Sequence, residues 1–110
     1  MRQTQTAVLE RGAVLDAELA TEPFEVAWAS EARWFVEFLE PAPEGSVVLR
    51  TQISADGLKW VDHESPAIRA GASGIVTTSV HDFGHWLRLV ASIDGATAAP
   101  LVRVYLALKE

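Results

Sequence analysis

Apolar residues recur at every second position along this chain, in short runs bounded by Gly, Pro, Asp and Ser. Successive side chains of an extended strand point to opposite faces of a sheet, so such runs predict half-buried antiparallel strands. Thr4, Thr6 and Val8 alternate with Gln5 and Ala7, and after Gly12 the residues Leu15, Ala17 and Leu19 alternate with Asp16 and Glu18. Past Pro23, Phe24, Val26 and Trp28 share one face of a predicted core strand, opposite Glu25 and Ala27. Residues 33–39 set Trp34, Val36 and Phe38 against Phe35, Glu37 and Leu39, so both faces of this run are apolar. A helix capped by Ser30 and ended by Pro41 also fits residues 30–40, but the β-rich flanks and the aromatic and β-branched content favour a strand.

Residues 41–45, with Pro41, Pro43 and Gly45, read as a turn leading into Val47, Leu49, Thr51 and Ile53, which alternate with Val48, Arg50 and Gln52. Ser54-Ala55-Asp56-Gly57 then predicts a chain reversal, because glycine accepts positive φ without steric cost and Asp tolerates turn geometry. Trp60 starts the predicted returning strand. Residues 64–74 are weakly patterned and read as a surface connection, followed by strands over 74–80, 86–93 and 101–108. In the last run Val102, Val104, Leu106 and Leu108 face one way. About eight short strands at this spacing predict an all-β, antiparallel two-sheet sandwich of jelly-roll type, with a barrel as the second architecture.

A length of 110 residues suits one domain spanning 1–110, and 49% hydrophobic content with four tryptophans provides for a packed core. There is no cysteine, which removes disulfides, thiolate metal sites and thiol nucleophiles. Residues 1–64 carry five basic and twelve acidic groups, a net −7, whereas residues 65–110 carry four and three, a net +1. An acidic chain without a basic stripe is repelled by phosphate backbones and anionic lipid, so neither nucleic acid nor membrane is an expected partner. No apolar run has the length of a signal peptide or membrane helix, which places the expected protein in the cytoplasm or a virion.

The stretch Ser54-Ala55-Asp56-Gly57-Leu58-Lys59-Trp60 resembles the S-x-D-G-x-x-W hairpin of discoidin-like, galactose-binding-like sandwiches. Trp86-Leu87-Arg88-Leu89-Val90, followed by residues 101–108, looks like the paired closing strands of the same architecture, so the resemblance covers residues 47–108. Small bacterial and phage structural sandwiches look similar in this hairpin. The resemblance implies a sandwich fold, and with it either a structural building block or a module that holds a glycan in loops at one end. The chain departs from discoidin-like domains in being short and in having Trp60 and Phe83 as its only evident loop aromatics. Within the hairpin, Asp56 and Gly57 answer to backbone geometry, and Trp60 is expected to fold back over one end of the core.

Two imidazoles and a carboxylate lie within His81-Asp82-Phe83-Gly84-His85, with Asp62 and His63 as the nearest further ligands, a spacing a metal could use. Gly84 and the flanking strands favour a polar turn in which Asp82 bonds local backbone. No G-x-S-x-G elbow, phosphate-cradling glycine loop or cofactor motif is present, so neither catalysis nor a cofactor is expected. Arg88, Arg103 and Tyr105 are expected to form a small basic-aromatic patch on neighbouring strands. The expected role is a non-enzymatic structural or assembly protein, whose partner is itself or another structural protein. Its interface is expected at Phe35, Leu39 and the N-terminal strand with Thr4, Thr6 and Val8. A carbohydrate-binding module is the alternative.

Overall fold

The computed structural model describes residues 2–110. Among them lie ten strands: β1 (Thr4–Val14), β2 (Glu18–Ala20), β3 (Phe24–Glu25), β4 (Glu31–Glu40), β5 (Ala42–Ser54), β6 (Val61–Asp62), β7 (Ile68–Ala72), β8 (Ile75–His81), β9 (Trp86–Asp94) and β10 (Leu101–Lys109). One sheet has the order β1-β10-β4-β8; the other runs β2-β9-β5-β6, with β3 also on β9 and β7 also on β5. All pairings are antiparallel.

Taking β2 with β3, and β6 with β7, as single interrupted strands leaves eight, in the orders first-eighth-third-sixth and second-seventh-fourth-fifth. This is a jelly-roll sandwich of two open sheets. Every connection between these eight strands crosses from one sheet to the other except the β5–β6 hairpin, which stays within its sheet.

The alternation decides which face goes inside. Val102, Val104, Leu106 and Leu108 of β10 are fully buried, as are Trp34 and Val36 of β4 and Leu87 and Leu89 of β9. Each such side chain contributes roughly 1.5–3 kcal/mol through burial. Trp34 and Thr51 meet inside this layer: the Trp34 indole Nε1–H donates to Thr51 Oγ1 at 3.0 Å, joining β4 of one sheet to β5 of the other.

Several expected elements take another form. Residues 33–39 are a strand, with Trp34, Val36 and Phe38 inside as expected. Phe24, Val26 and Trp28 do pack at the core, but only Phe24–Glu25 is strand, and Ala29 N–H closes a turn on the Val26 carbonyl. β1 runs on past Gly12 with two register shifts and turns Ala7, Leu9 and Ala13 toward the core, leaving Thr4, Thr6 and Val8 outside. Residues 15–17 are then a crossover, with Leu15 buried and Ala17 at φ 68°, before β2 starts at Glu18.

The expected turn at 41–45 becomes the bulged start of β5, where the chain changes sheets. A Cβ on Gly45 would sit 3.1 Å from Ala96 Cβ and 3.2 Å from the Asp94 carbonyl oxygen, so a side chain here fits only if the segment around Asp94 and Ala96 gives by a few tenths of an ångström. Residues 68–72, expected as connection, form β7 against β5. Thr21 bridges the break between β2 and β3, its Oγ1 accepting from the Leu89 N–H at 3.0 Å while its own N–H donates to the Leu89 carbonyl at 2.9 Å.

The Trp34–Thr51 pair generates a prediction. Thr51→Val leaves the buried indole N–H without an acceptor and lowers unfolding free energy by about 1–3 kcal/mol. In denaturant titrations, Thr51→Val made in a Trp34→Phe background is expected to cost less than Thr51→Val made alone, because the stranded donor is gone.

Candidate functional site

The Ser54–Trp60 segment is built to satisfy itself. Ser54 Oγ accepts from the backbone N–H groups of Asp56 (3.3 Å) and Gly57 (2.9 Å) and donates to Asp56 Oδ1 (3.0 Å). The same carboxylate oxygen accepts from the N–H groups of Leu58 (2.9 Å) and Lys59 (3.0 Å). The Lys59 and Leu58 amides, and then the Ser54 hydroxyl, hold the Asp56 carboxyl below the ordinary carboxylate range. Gly57 has φ 79°, and a Cβ there would stand 3.3 Å from the Trp86 ring. The motif thus consumes its polar groups on its own backbone.

Trp60 does not cover the end of the core. Trp60 and Asp62 have the same parity, and Asp62 is held on the outer face of the sheet by Gln52 Nε2 (2.9 Å) and Arg50 Nη1 (3.1 Å). Trp60 therefore also turns outward, where the Arg88 guanidinium lies 4.5 Å from its ring centroid. Phe83, in the turn between β8 and β9, is the loop aromatic that joins the core.

A polar ladder consequently crosses the outer face of the β2-β9-β5-β6 sheet. Arg88 Nε donates to Gln52 Oε1 at 2.7 Å, Gln52 donates to Asp62, and Arg50 joins Asp62 to Glu18, the last contact at 3.7 Å. The Gln52 amide first, and then Arg50, lower the Asp62 pKa. Sequence reasoning missed this ladder, although the two-residue spacing of Arg50 and Gln52, with Asp62 on the returning strand, was available as a signal.

The other sheet gathers most of the expected interface residues. Cross-strand partners place Val8, Tyr105, Phe35 and Thr77 in one row, with Thr6, Ala107, Arg33 and Ser79 in the next. Arg103 pairs with Glu37 on the far side of the aromatic row, and Thr4 pairs with Lys109 at the near end. Arg103 Nε donates to the Arg11 carbonyl at 2.9 Å, an oxygen lying within the irregular stretch of β1. Leu39 sits beside Gly12, and Val8, Leu39 and Ile75 are exposed. A depression of about 450 Å³ opens between Arg33, Phe35, Ser79, His81, Ala107 and Lys109. Arg88 is the exception: it belongs to the opposite sheet, so it forms no patch with Arg103 and Tyr105.

The histidines separate. His63 is buried; the Ser65 N–H donates to its Nδ1 at 3.1 Å, which leaves Nε2–H to donate to the Asp82 carbonyl at 3.1 Å. In the 82–85 turn it is therefore the Asp82 backbone carbonyl that the bond engages, with Asp82 at φ 57°. Glu64 Oε1 lies 3.1 Å from His63 Nε2, and Ser65 Oγ lies 2.9 Å from Nδ1. The amide and the hydroxyl of Ser65 both reach Nδ1, so these consecutive residues make a local turn. His85 lies beside Glu25 at 3.5 Å and Trp86 at a centroid distance of 5.5 Å. Among the described residues no three His, Cys, Asp or Glu side chains converge as a metal site.

No family model and no curated protein matches this sequence. Solved structures do match in fold. The PBSX exported protein XepA superposes with a TM-score of 0.69 at 14% identity over 94% of this chain, which spans 36% of that protein. The acid-stable capsid of Helicobacter pylori bacteriophage KHP30 gives a TM-score of 0.54 at 10% identity, covering 99% of this chain and 92% of that one. A carbohydrate-binding module from the glycoside hydrolase family 9 protein Cel9A of Ruminococcus flavefaciens FD-1 gives 0.52 at 10% identity, covering 96% of each. Structural proteins and binding modules therefore share the sandwich that the sequence resemblance implied, and at these identities the likeness is one of fold.

Asp56 supplies a pH-dependent test of the hairpin. Its folded-state pKa is depressed, so its stabilising contribution is complete above the unfolded value and is lost as pH falls through the folded one, from about pH 4 downward. Glu44 and Asp62 are depressed as well, so thermal melts of wild type and Asp56→Asn are compared. The gap in Tm between them is expected to be open at pH 6 and to narrow on acidification.

Proposed function

We propose that this protein is a non-enzymatic assembly subunit that packs the outer face of its β1-β10-β4-β8 sheet against a second copy of itself. The observation that carries this reading is the row Val8-Tyr105-Phe35, flanked along β4 by Arg33 on one side and by Glu37, itself paired with Arg103, on the other. Along β4 the outward residues are Arg33, Phe35 and Glu37. A two-fold axis through Phe35 brings Arg33 of one copy opposite Glu37 of the other, so the face is complementary to itself.

Sheets pack face to face about 10 Å apart with strands within about 30° of each other. From strand spacing and rise, this face measures roughly 20 by 30 Å. With side-chain relief added, that approaches the roughly 800 Å² per partner of a standard interface. The capsid protein among the similar folds supports an assembling role, and the self-satisfied hairpin supports a structural reading of the discoidin-like motif.

Glycan binding is the second reading, and the observation favouring it is Trp60 on the outer face of the other sheet, amid Arg88, Gln52 and Asp62. Arg88 already covers the ring, so a sugar would have to use its other face or displace the guanidinium.

Phe35→Glu separates the two readings. Light scattering across a concentration series is expected to show association for wild type and a monomer for Phe35→Glu, with far-ultraviolet dichroism unchanged. Monomeric wild type would remove the assembly reading. Glycan-array binding by folded wild type that Trp60→Ala abolishes would replace it with the second.

A further inference from the structure

The sandwich has four exposed flanks, and three carry devices that discourage strand addition. The free edge of β1 is interrupted by register shifts between Val8 and Glu10 and between Glu10 and Ala13. The flank made by β2 and β3 consists of strands of three and two residues separated by Pro23. The flank made by β6 and β7 is broken at Pro66 and carries Asp62 and Arg69. Short strands, bulges, prolines and charges are the usual protections of an edge.

The β8 edge has none of them. Its seven residues, Ile75-Val76-Thr77-Thr78-Ser79-Val80-His81, contain no proline, glycine, acidic residue, lysine or arginine. It pairs with β4 over its whole length without a register shift, and it ends its sheet. Val76 and Val80 are buried on the core side, while Ile75, Thr77, Ser79 and His81 are exposed on the other.

We infer that β8 pairs antiparallel with β8 of a second copy, about a two-fold axis at Thr78, to join two four-stranded sheets into one of eight strands. The register follows from the side chains. Centring the axis on Thr78 uses all seven residues and keeps every face in phase: Val76 lies opposite Val80 on the core side, Thr77 opposite Ser79 outside, and Ile75 opposite His81. A shift by one residue would set buried valines against exposed positions. The occupant is a second copy because the strand is complementary to its own reverse, with no charge to repel itself and hydroxyls facing hydroxyls across the outer seam. This contact rests on the assembly reading and adds an edge contact to the face contact proposed above.

The test uses two double variants at the same positions. Thr77→Lys/Ser79→Lys sets lysine against lysine at both outer pairs of the seam, whereas Thr77→Glu/Ser79→Lys sets glutamate against lysine. Both lose the Thr77 Oγ1 bond to the Trp34 carbonyl (2.8 Å) and the Arg33 Nη1 bond to Thr77 Oγ1 (3.2 Å), and because lysine repels Arg33 where glutamate pairs with it, the Tm of each variant is measured alongside to separate damage to the fold from loss of the seam. Sedimentation analysis is expected to show association at least tenfold weaker for the lysine pair and retained for the mixed pair. Because the chain has no cysteine, Thr78→Cys is a unique label. Directly opposed residues lie about 4.5–5.5 Å apart, within disulfide reach, so oxidation is expected to give a covalent dimer.

Equal association by both double variants, or no disulfide while Thr78→Cys still associates, would overturn the edge contact. If Phe35→Glu dissociates the protein and the lysine pair does not, the face contact stands and the edge contact falls. Wild type that stays monomeric sinks both.

Discussion

A tryptophan that donates across the core restricts how two sheets can lie on each other. Trp34 is on β4, next to the edge of one sheet, and Thr51 is on β5, which holds the other sheet together by pairing with β6, β7 and β9. A fully buried indole N–H must find an acceptor. Meeting that demand at 3.0 Å allows one offset between the layers, and apolar contacts, being non-directional, would not select it by themselves. The fully buried valines and leucines of β4, β9 and β10 then pack around an offset already chosen.

With that offset in place, the two outer faces acquire different characters. One is a ladder of paired polar groups from Glu18 through Arg50, Asp62 and Gln52 to Arg88, and its members satisfy one another. The other carries Val8, Tyr105 and Phe35 in a row, with exposed Ile75 two residues along β8 from Thr77 at its end. A polar ladder of this kind stays wet easily; an aromatic row gains by being covered. This contrast is what directs the proposed self-association to the second face.

Much of this was legible in the alternation. It assigned the inward faces of β4, β5 and β10, because those strands are long and paired on both sides, so parity and burial coincide. It failed where pairing is not what buries a residue. Val26 is buried by a turn, and its neighbours at two-residue spacing imitate a strand. Residues 70–72 are Ala-Gly-Ala, too uniform to show a pattern, and 68–72 become β7 because β5 has an open side there. In β1 the inward positions are Ala7 and Leu9 and the outward ones Thr6 and Val8, a contrast too weak for parity to show from sequence. The residues expected at an interface, Arg88 apart, share one outer face, since β4, β10 and β1 are neighbours. Arg88 and Arg103 each stand two residues from an aromatic, Trp86 and Tyr105, on consecutive long strands, yet β9 and β10 belong to different sheets.

Among the described residues, with β2–β3 and β6–β7 each counted as one interrupted strand, the β5–β6 hairpin is the link that does not carry the chain over from one layer to the other. Its polar groups are closed on themselves through Ser54 and Asp56, and Leu58 at its tip is 82% exposed. Lengthening a connection between the layers disturbs the way they are joined, whereas extra residues placed beside Leu58 project outward from a single sheet. The tip is accordingly where this scaffold can accept new sequence, or display a foreign peptide, without renegotiating its core.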